Sequence, residues 1–231
     1  MDDDYKNLTR FWDNSFILND DNKEEMKKRI DVENDWKDFS PSSKLTEALG
    51  LFKDNVLDYG CGNGWASIIM AKNGIKNIKA CDVVPNSIKL LNFYKDLFNI
   101  SNEIDASLID SNWLSKEEIN KYDGVFCSNV IDVLPLEMSK EIIEGIAKVA
   151  KKGATVIFSL NYYIDISNVK NKAFEVKNSQ IYIDNVLRLT SLSDDEWKNI
   201  FEKYFVDVKL SYFSWSGEEK ESRRLFVMKK N

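Results

Sequence analysis

The stretch Asn55-Val56-Leu57-Asp58-Tyr59-Gly60-Cys61-Gly62-Asn63-Gly64-Trp65 joins a short apolar run to a glycine-rich loop and then to a helical pattern. Val56 and Leu57 read as a buried strand. Gly60, Gly62 and Gly64 allow the chain to turn tightly and let a ligand touch its backbone. A helix is predicted from about Trp65, ended by Asn73-Gly74. Strand, glycine loop and helix in this order form the opening unit of a doubly wound sheet, whose ligands bind at the carboxyl ends of its strands. Glycines alone fit a plain turn equally well. Two flanking carboxylates, Asp58 at the end of the first strand and Asp82 at the end of the second, favour a site.

Outward from this unit, strands alternate with helices, which predicts a parallel sheet. Ile78 to Val83 is the second strand, and Pro85-Asn86 opens a helix carrying Ile88, Leu91, Tyr94 and Phe98. Asp105 to Ile109 and Gly124 to Ser128 are the third and fourth strands. A helix with Ile142, Ile146 and Val149 on one face follows, stopped by Gly153, and Ala154 to Leu160 is the fifth strand. Residues 161–192 interrupt the alternation: Phe174-Glu175-Val176 and Ile181-Tyr182-Ile183 flank Asn178-Ser179 as a hairpin. Ser193-Asp194-Asp195-Glu196 is a capping box before Trp197, Ile200, Phe201 and Tyr204. Val206, Val208, Leu210 and Tyr212 alternate as a sixth strand, Ser216-Gly217 turns the chain, and Leu225 to Met228 is a last, antiparallel strand. Upstream, Tyr5, Leu8, Trp12 and Phe16 form an apolar helical stripe. Asp20 to Asp38 reads as an exposed charged helix touching the rest through Met26 and Ile30. Ser40-Pro41 starts a further helix that Gly50 stops. The organisation expected is a helical cap over residues 1–50 and a core over 51–231, with 161–192 inserted as a second covering segment.

A chain of 231 residues suits one sizeable α/β core. Its net charge of −6 and pI near 5.0 disfavour nucleic acid as a partner. Lys170, Lys172 and Lys177 read as a solvated face. Aromatic residues make up 12%, six of them Trp, enough for some to line a pocket. Three cysteines, Cys61, Cys81 and Cys127, without a C-x-x-C pair, fit a reducing cytosol. Met1-Asp2-Asp3-Asp4 lacks the features of a signal peptide, and no apolar run approaches the ~20 residues that span a bilayer. The expectation is a cytoplasmic protein, away from membranes, as a monomer or homodimer. Histidine is absent, which excludes Ser/His/Asp and Cys/His triads and histidine zinc sites.

The dinucleotide fingerprint G-x-G-x-x-G also carries an acidic residue ~20 positions downstream. It needs a small residue where this chain has Trp65, and Asp58 would repel a pyrophosphate. A ligand with an ammonium and a sulfonium suits that carboxylate. Residues 55–64 resemble the first motif of the Rossmann-like (class I) S-adenosylmethionine-dependent methyltransferases, and the resemblance covers residues 54 to 160 well. It implies a mostly parallel seven-stranded sheet with an antiparallel last strand. By that similarity Asp58, Gly60, Cys61, Gly62, Asn63 and Gly64 would hold the methionine portion of the donor. Asp82 would accept hydrogen bonds from both ribose hydroxyls, with Val83 against the adenine. Asp110-Ser111 would reach the adenine amino group, with Asp105 as a competing candidate, and Asn129 would face the methyl donor. Branches that modify adenine or glutamine carry Asn-Pro-Pro-Tyr where this chain has Asn129-Val130-Ile131-Asp132. Tyr204-Phe205 departs from the small residue and glycine that often precede the sixth strand.

Methyl transfer is a direct displacement, and positioning supplies much of its rate without a metal. A hydroxyl or protonated amine as acceptor also needs a base. Asp132, Tyr162 and Tyr163 fall at the correct edge of the sheet, Tyr163 also as a substrate contact. Tyr5, Phe11 and Trp12, together with the 174–183 hairpin, are expected to cover the site and exclude water. The function expected is methyl transfer to an oxygen or nitrogen of a small molecule. Alternatives on the same residues are an RNA or protein methyltransferase, a nucleotide-binding oxidoreductase, and a binding protein without turnover.

Overall fold

The computed structural model describes residues 3–170 and 173–231. Met1, Asp2 and Lys172, each part of an expectation above, lie outside the described residues. The chain runs α1 (Asp3–Ser15), α2 (Asp20–Arg29), α3 (Ser43–Leu49), β1 (Val56–Tyr59), α4 (Trp65–Lys72), β2 (Ile78–Asp82), α5 (Pro85–Leu97) and β3 (Ile104–Leu108). It continues through α6 (Trp113–Lys116), β4 (Tyr122–Ser128), α7 (Leu136–Val149), β5 (Ala150–Leu160), β6 (Glu175–Lys177), β7 (Gln180–Ile183) and β8 (Val186–Thr190). It ends with α8 (Asp194–Phe201), β9 (Phe205–Phe213) and β10 (Arg223–Lys230). Seven strands form one sheet in the order β3-β2-β1-β4-β5-β10-β9. β10 is antiparallel to both neighbours, and the other pairings are parallel. This is the sheet predicted from the alternation and the resemblance.

Each central strand is buried on both faces because successive side chains point to opposite sides. In β4, Val125 and Cys127 face a core shared with α7 and α8, and Phe126 faces one shared with α3, α4 and α5. Stacked rings dock α8 on the sheet, Phe158 against Phe201 at 4.9 Å and Trp197 against Phe201 at 5.9 Å. Such pairs contribute about 0.5–1.5 kcal/mol each beyond their buried area. The capping box holds: Ser193 Oγ accepts from the Glu196 N–H, and Glu196 accepts from the Ser193 N–H. No helix among the described residues is long and apolar enough to cross a membrane.

Several boundaries differ from expectation. The helix expected from Ser40-Pro41 begins at Ser43, because the Pro41 carbonyl accepts from Ser216 and ties that segment to the far end of the chain. Leu45, Ala48 and Leu49 of α3 are buried in the core rather than in a cap. Gly153, with φ +77, does not end a helix; it lies inside β5, where the register with β4 shifts. The inserted hairpin is real but extends to a three-stranded sheet, β6-β7-β8. Lys177 pairs with Glu175 at 3.0 Å, so it adds no free charge to a basic patch.

Candidate functional site

The glycine loop leaves β1 in a conformation that its neighbours enforce. Gly60 has φ +69, and a Cβ there would lie 2.3 Å from Val130 Cγ2. Gly64 has φ +80, and its Cβ would meet Leu91 Cδ1 at 2.2 Å. Any side chain at either position would be strained and would collide with a packed apolar residue. Asp82 secures the loop from β2: its Oδ2 accepts the Gly62 N–H at 2.9 Å and its Oδ1 accepts the Val84 N–H at 3.0 Å. Asp58 is 2% exposed and accepts the Ser67 hydroxyl at 2.6 Å. Burial pushes its carboxyl up to about 7, the Ser67 bond opposing and the Asp82 charge adding to the rise. Burial likewise raises Asp82 against the pull of its two backbone donors. Among the described residues neither carboxylate enters an ion pair. Two buried carboxylates without ion pairs, one at the end of β1 and one at the end of β2, suit a cationic or hydroxyl-rich ligand.

A cavity of about 590 Å³ opens over this loop. Of the donor residues proposed from sequence, Asp58, Gly60, Cys61, Gly62, Asn63, Asp82, Val83, Ser111 and Asn129 line it together. Gly64 stays beneath, packed on Leu91. Asp110 is exposed; it pairs with Lys116 at 2.9 Å and accepts the Asn112 N–H, so Ser111 and Asn112 line the cavity in its place. Asp105 pairs with Lys79 at 2.8 Å on β3 and is not part of the lining. Asn129 takes φ +54 at the end of β4, and its Nδ2 is buried without a partner.

The base candidates do not reach the cavity. Asp132 is fully buried behind its wall, with Oδ2 accepting the Asn161 N–H and Nδ2 at 2.6 and 2.9 Å. Tyr162 and Tyr163 are exposed and absent from the lining. Asp132 belongs instead to a polar knot that sequence periodicity missed. Arg224, 1% exposed, donates through Nε to the Asn161 carbonyl at 2.8 Å and through Nη1 to the Leu192 carbonyl at 2.6 Å. Burial raises the Asp132 carboxyl, and the Arg224 charge opposes that rise. Arg224 also reaches Asp194 at 3.5 Å, and its loss would leave the buried Asn161 and Leu192 carbonyls without their donor while removing a charge that favours the ionised Asp132. Arg224→Met should therefore cost about 2–5 kcal/mol in urea unfolding at neutral pH, from two buried acceptors left unsatisfied. A loss below 1 kcal/mol would mean that water reaches the two carbonyls in its place.

The cover is α1. Tyr5, Leu8 and Trp12 line the cavity, and Phe16 follows them over Gly62. The Asn86 N–H donates to Asp13 Oδ1 at 2.9 Å and ties this end to α5. The inserted strands contribute no lining residue, contrary to the hairpin half of the lid expectation. They support α1 from outside: the Arg188 guanidinium sits 3.9 Å from the Phe11 ring centre, and the Tyr182 hydroxyl donates to Asp4 at 2.9 Å. Trp65, Phe126 and Trp215 also line the cavity. Trp215 had no signal beyond its place in the turn before the last strand.

A family model described as a methyltransferase domain matches residues 53–205. The ubiquinone biosynthesis O-methyltransferase of Idiomarina loihiensis is 30% identical over 110 residues, 48% of this chain and 43% of that protein. The enzyme of the same name from Vibrio cholerae is 29% identical over 139 residues, 59% of this chain and 52% of that one. The chain thus spans about half the length of the curated relatives it matches. Among solved structures, the PH0226 protein of Pyrococcus horikoshii superposes with a TM-score of 0.66 at 14% identity, covering 87% of this chain and 94% of that one. The N-methyltransferase NodS of Bradyrhizobium japonicum, solved with S-adenosyl-L-homocysteine, gives 0.62 at 15% identity, covering 97% and 98%. With the glycine loop, the carboxylates on either side of it and the sheet order in agreement, the chain belongs to the class I, S-adenosylmethionine-dependent methyltransferase family.

Proposed function

We propose that this protein transfers the methyl group of S-adenosylmethionine to an oxygen or nitrogen of a small molecule. The observation that carries the reading is the pair of buried, unpaired carboxylates, Asp58 and Asp82, bracketing a glycine loop inside a cavity roofed by α1. Bound there, S-adenosylmethionine supplies a methyl group on a positively charged sulfur, already activated for displacement. Asp58 holds the ammonium of the methionine portion, and Asp82 accepts from the ribose hydroxyls with the lone pairs its backbone donors leave free. Val83 and Ser111 border the adenine, and Asn129 faces the reacting end. α1 excludes water, which strengthens these contacts and orients the acceptor. An acceptor small enough to sit under α1 agrees with the names of the curated relatives, and the net charge of −6 agrees with a partner other than RNA. The cysteines Cys61, Cys81 and Cys127 are free and buried, in keeping with work in the reducing cytoplasm. A monomer or homodimer is part of the same proposal.

Thermal stabilisation tests the donor half. A ligand at 100 times its dissociation constant adds about 2.7 kcal/mol. S-adenosylmethionine and S-adenosylhomocysteine should raise the melting temperature while NADH leaves it unchanged, and the reverse would sink the proposal. Methyl-labelled donor incubated with fractionated cell extract tests the acceptor half. Label should enter a low-molecular-weight fraction, and label confined to RNA or protein would replace the small molecule by that polymer.

A further inference from the structure

The loop between β9 and β10 closes on itself around one ring. Arg223 is buried at 6% exposure and grips Glu218 with two donors, Nε at 2.8 Å and Nη2 at 2.6 Å. Glu218 Oε2 also accepts the Trp215 N–H at 2.9 Å. The Arg223 guanidinium lies 3.4 Å from the centre of the Trp215 ring, and its Nη1 donates to Asn161 Oδ1 at 2.5 Å. A turn joining two antiparallel strands requires none of this. The effect is to fix a flat indole in the cavity wall, one face covered by a guanidinium that Glu218 holds in place. Trp215, Glu218 and Arg223 all fall outside residues 53–205, the part shared with the family. Of the three only Trp215 lines the cavity, and it enters from beyond β5, whereas Asp58, Asp82 and Ser111 enter from the β1, β2 and β3 side.

We propose, resting on the methyl-transfer reading, that Trp215 is the acceptor-facing wall and that its clamp selects a flat, electron-rich aromatic ring as the group that carries the methylated atom. A cation on one face of an indole draws density from it, so an indole lining the cavity stacks best on an electron-rich partner. Arg223 and Glu218 act through Trp215 and are positioning residues. The test uses the protein saturated with S-adenosylhomocysteine and two probes of matched skeleton, 1-naphthol and decahydro-1-naphthol, with affinities from ligand-observed NMR. Naphthol should bind about tenfold more tightly than its saturated counterpart. Trp215→Ala should erase that preference, Trp215→Phe should keep most of it, and Arg223→Met should reduce it about threefold. Affinity for S-adenosylhomocysteine should change by less than twofold in all three variants, which also reports that they fold. Equal binding of the two probes, or a preference that survives Trp215→Ala, overturns the inference. So does a tenfold loss of S-adenosylhomocysteine in Trp215→Ala, which would make Trp215 a donor residue. Failure of the parent protein to bind S-adenosylhomocysteine would instead overturn the methyl-transfer reading itself.

Discussion

At pH 8 the Asp58→Asn protein is expected to melt above the parent while binding S-adenosylmethionine more weakly. The unfolded carboxyl titrates near 3.8, and burial holds the folded one at about 7. Between those values the folded state keeps a proton that the unfolded state has lost, so stability falls as pH rises through the window and levels off above 7. The span corresponds to a cost of order 4 kcal/mol above pH 7. Asparagine removes that cost and still offers Ser67 an acceptor. The gain should therefore appear at pH 8 in thermal melts and close as the pH approaches 4. Binding runs in the opposite sense. A ligand ammonium beside Asp58 lowers its pKa, so binding expels a proton, and affinity should weaken by up to about tenfold per pH unit below 7. Calorimetry near pH 6.5 in two buffers of different ionisation enthalpy reads the released proton. Buffer-independent heats in the parent protein would show that Asp58 is already ionised without ligand. The cost of holding a carboxylate ready for a cation then explains why a more stable residue does not stand there.

The parts legible in the sequence share a physical cause: they are local. The glycine loop needs no side chain at Gly60 and Gly64, the capping box spans only Ser193 to Glu196, and strand and helix periods repeat within one element. What escaped depends on residues distant in sequence. Arg223 and Arg224 lie between the Ser216-Gly217 turn and the last predicted strand, and no local pattern marks them for burial. Their burial rests on Asn161, Leu192 and Glu218, which no window around them contains. Asp132 falls on the correct edge of the sheet, yet two donors from Asn161 turn it away from the cavity. The inserted strands satisfy a hairpin pattern, but only the fold reveals that they support α1 instead of lining the site.

Asp82→Ala is expected to weaken S-adenosylhomocysteine about 100-fold. Hydrogen bonds to a charged group contribute about 1.5–3 kcal/mol each, and two ribose hydroxyls losing their shared acceptor account for about 3 kcal/mol after rehydration. The same carboxylate anchors the Gly62 and Val84 N–H groups, so the variant also loosens the loop under the ligand. Two controls separate these contributions. Asp82→Asn keeps one oxygen acceptor and should lose less than the alanine variant. Adenosine, which carries the ribose without the methionine portion, should lose affinity by the same factor as the full ligand if the hydroxyls are the cause. Methionine-side contacts from Asp58 would then be untouched, and the pH dependence of binding should survive in Asp82→Ala with a lower midpoint, because the Asp82 charge adds to the rise at Asp58. Unchanged affinity for both ligands would move the ribose elsewhere in the cavity. A loss for S-adenosylhomocysteine with adenosine unaffected would assign Asp82 to the loop alone.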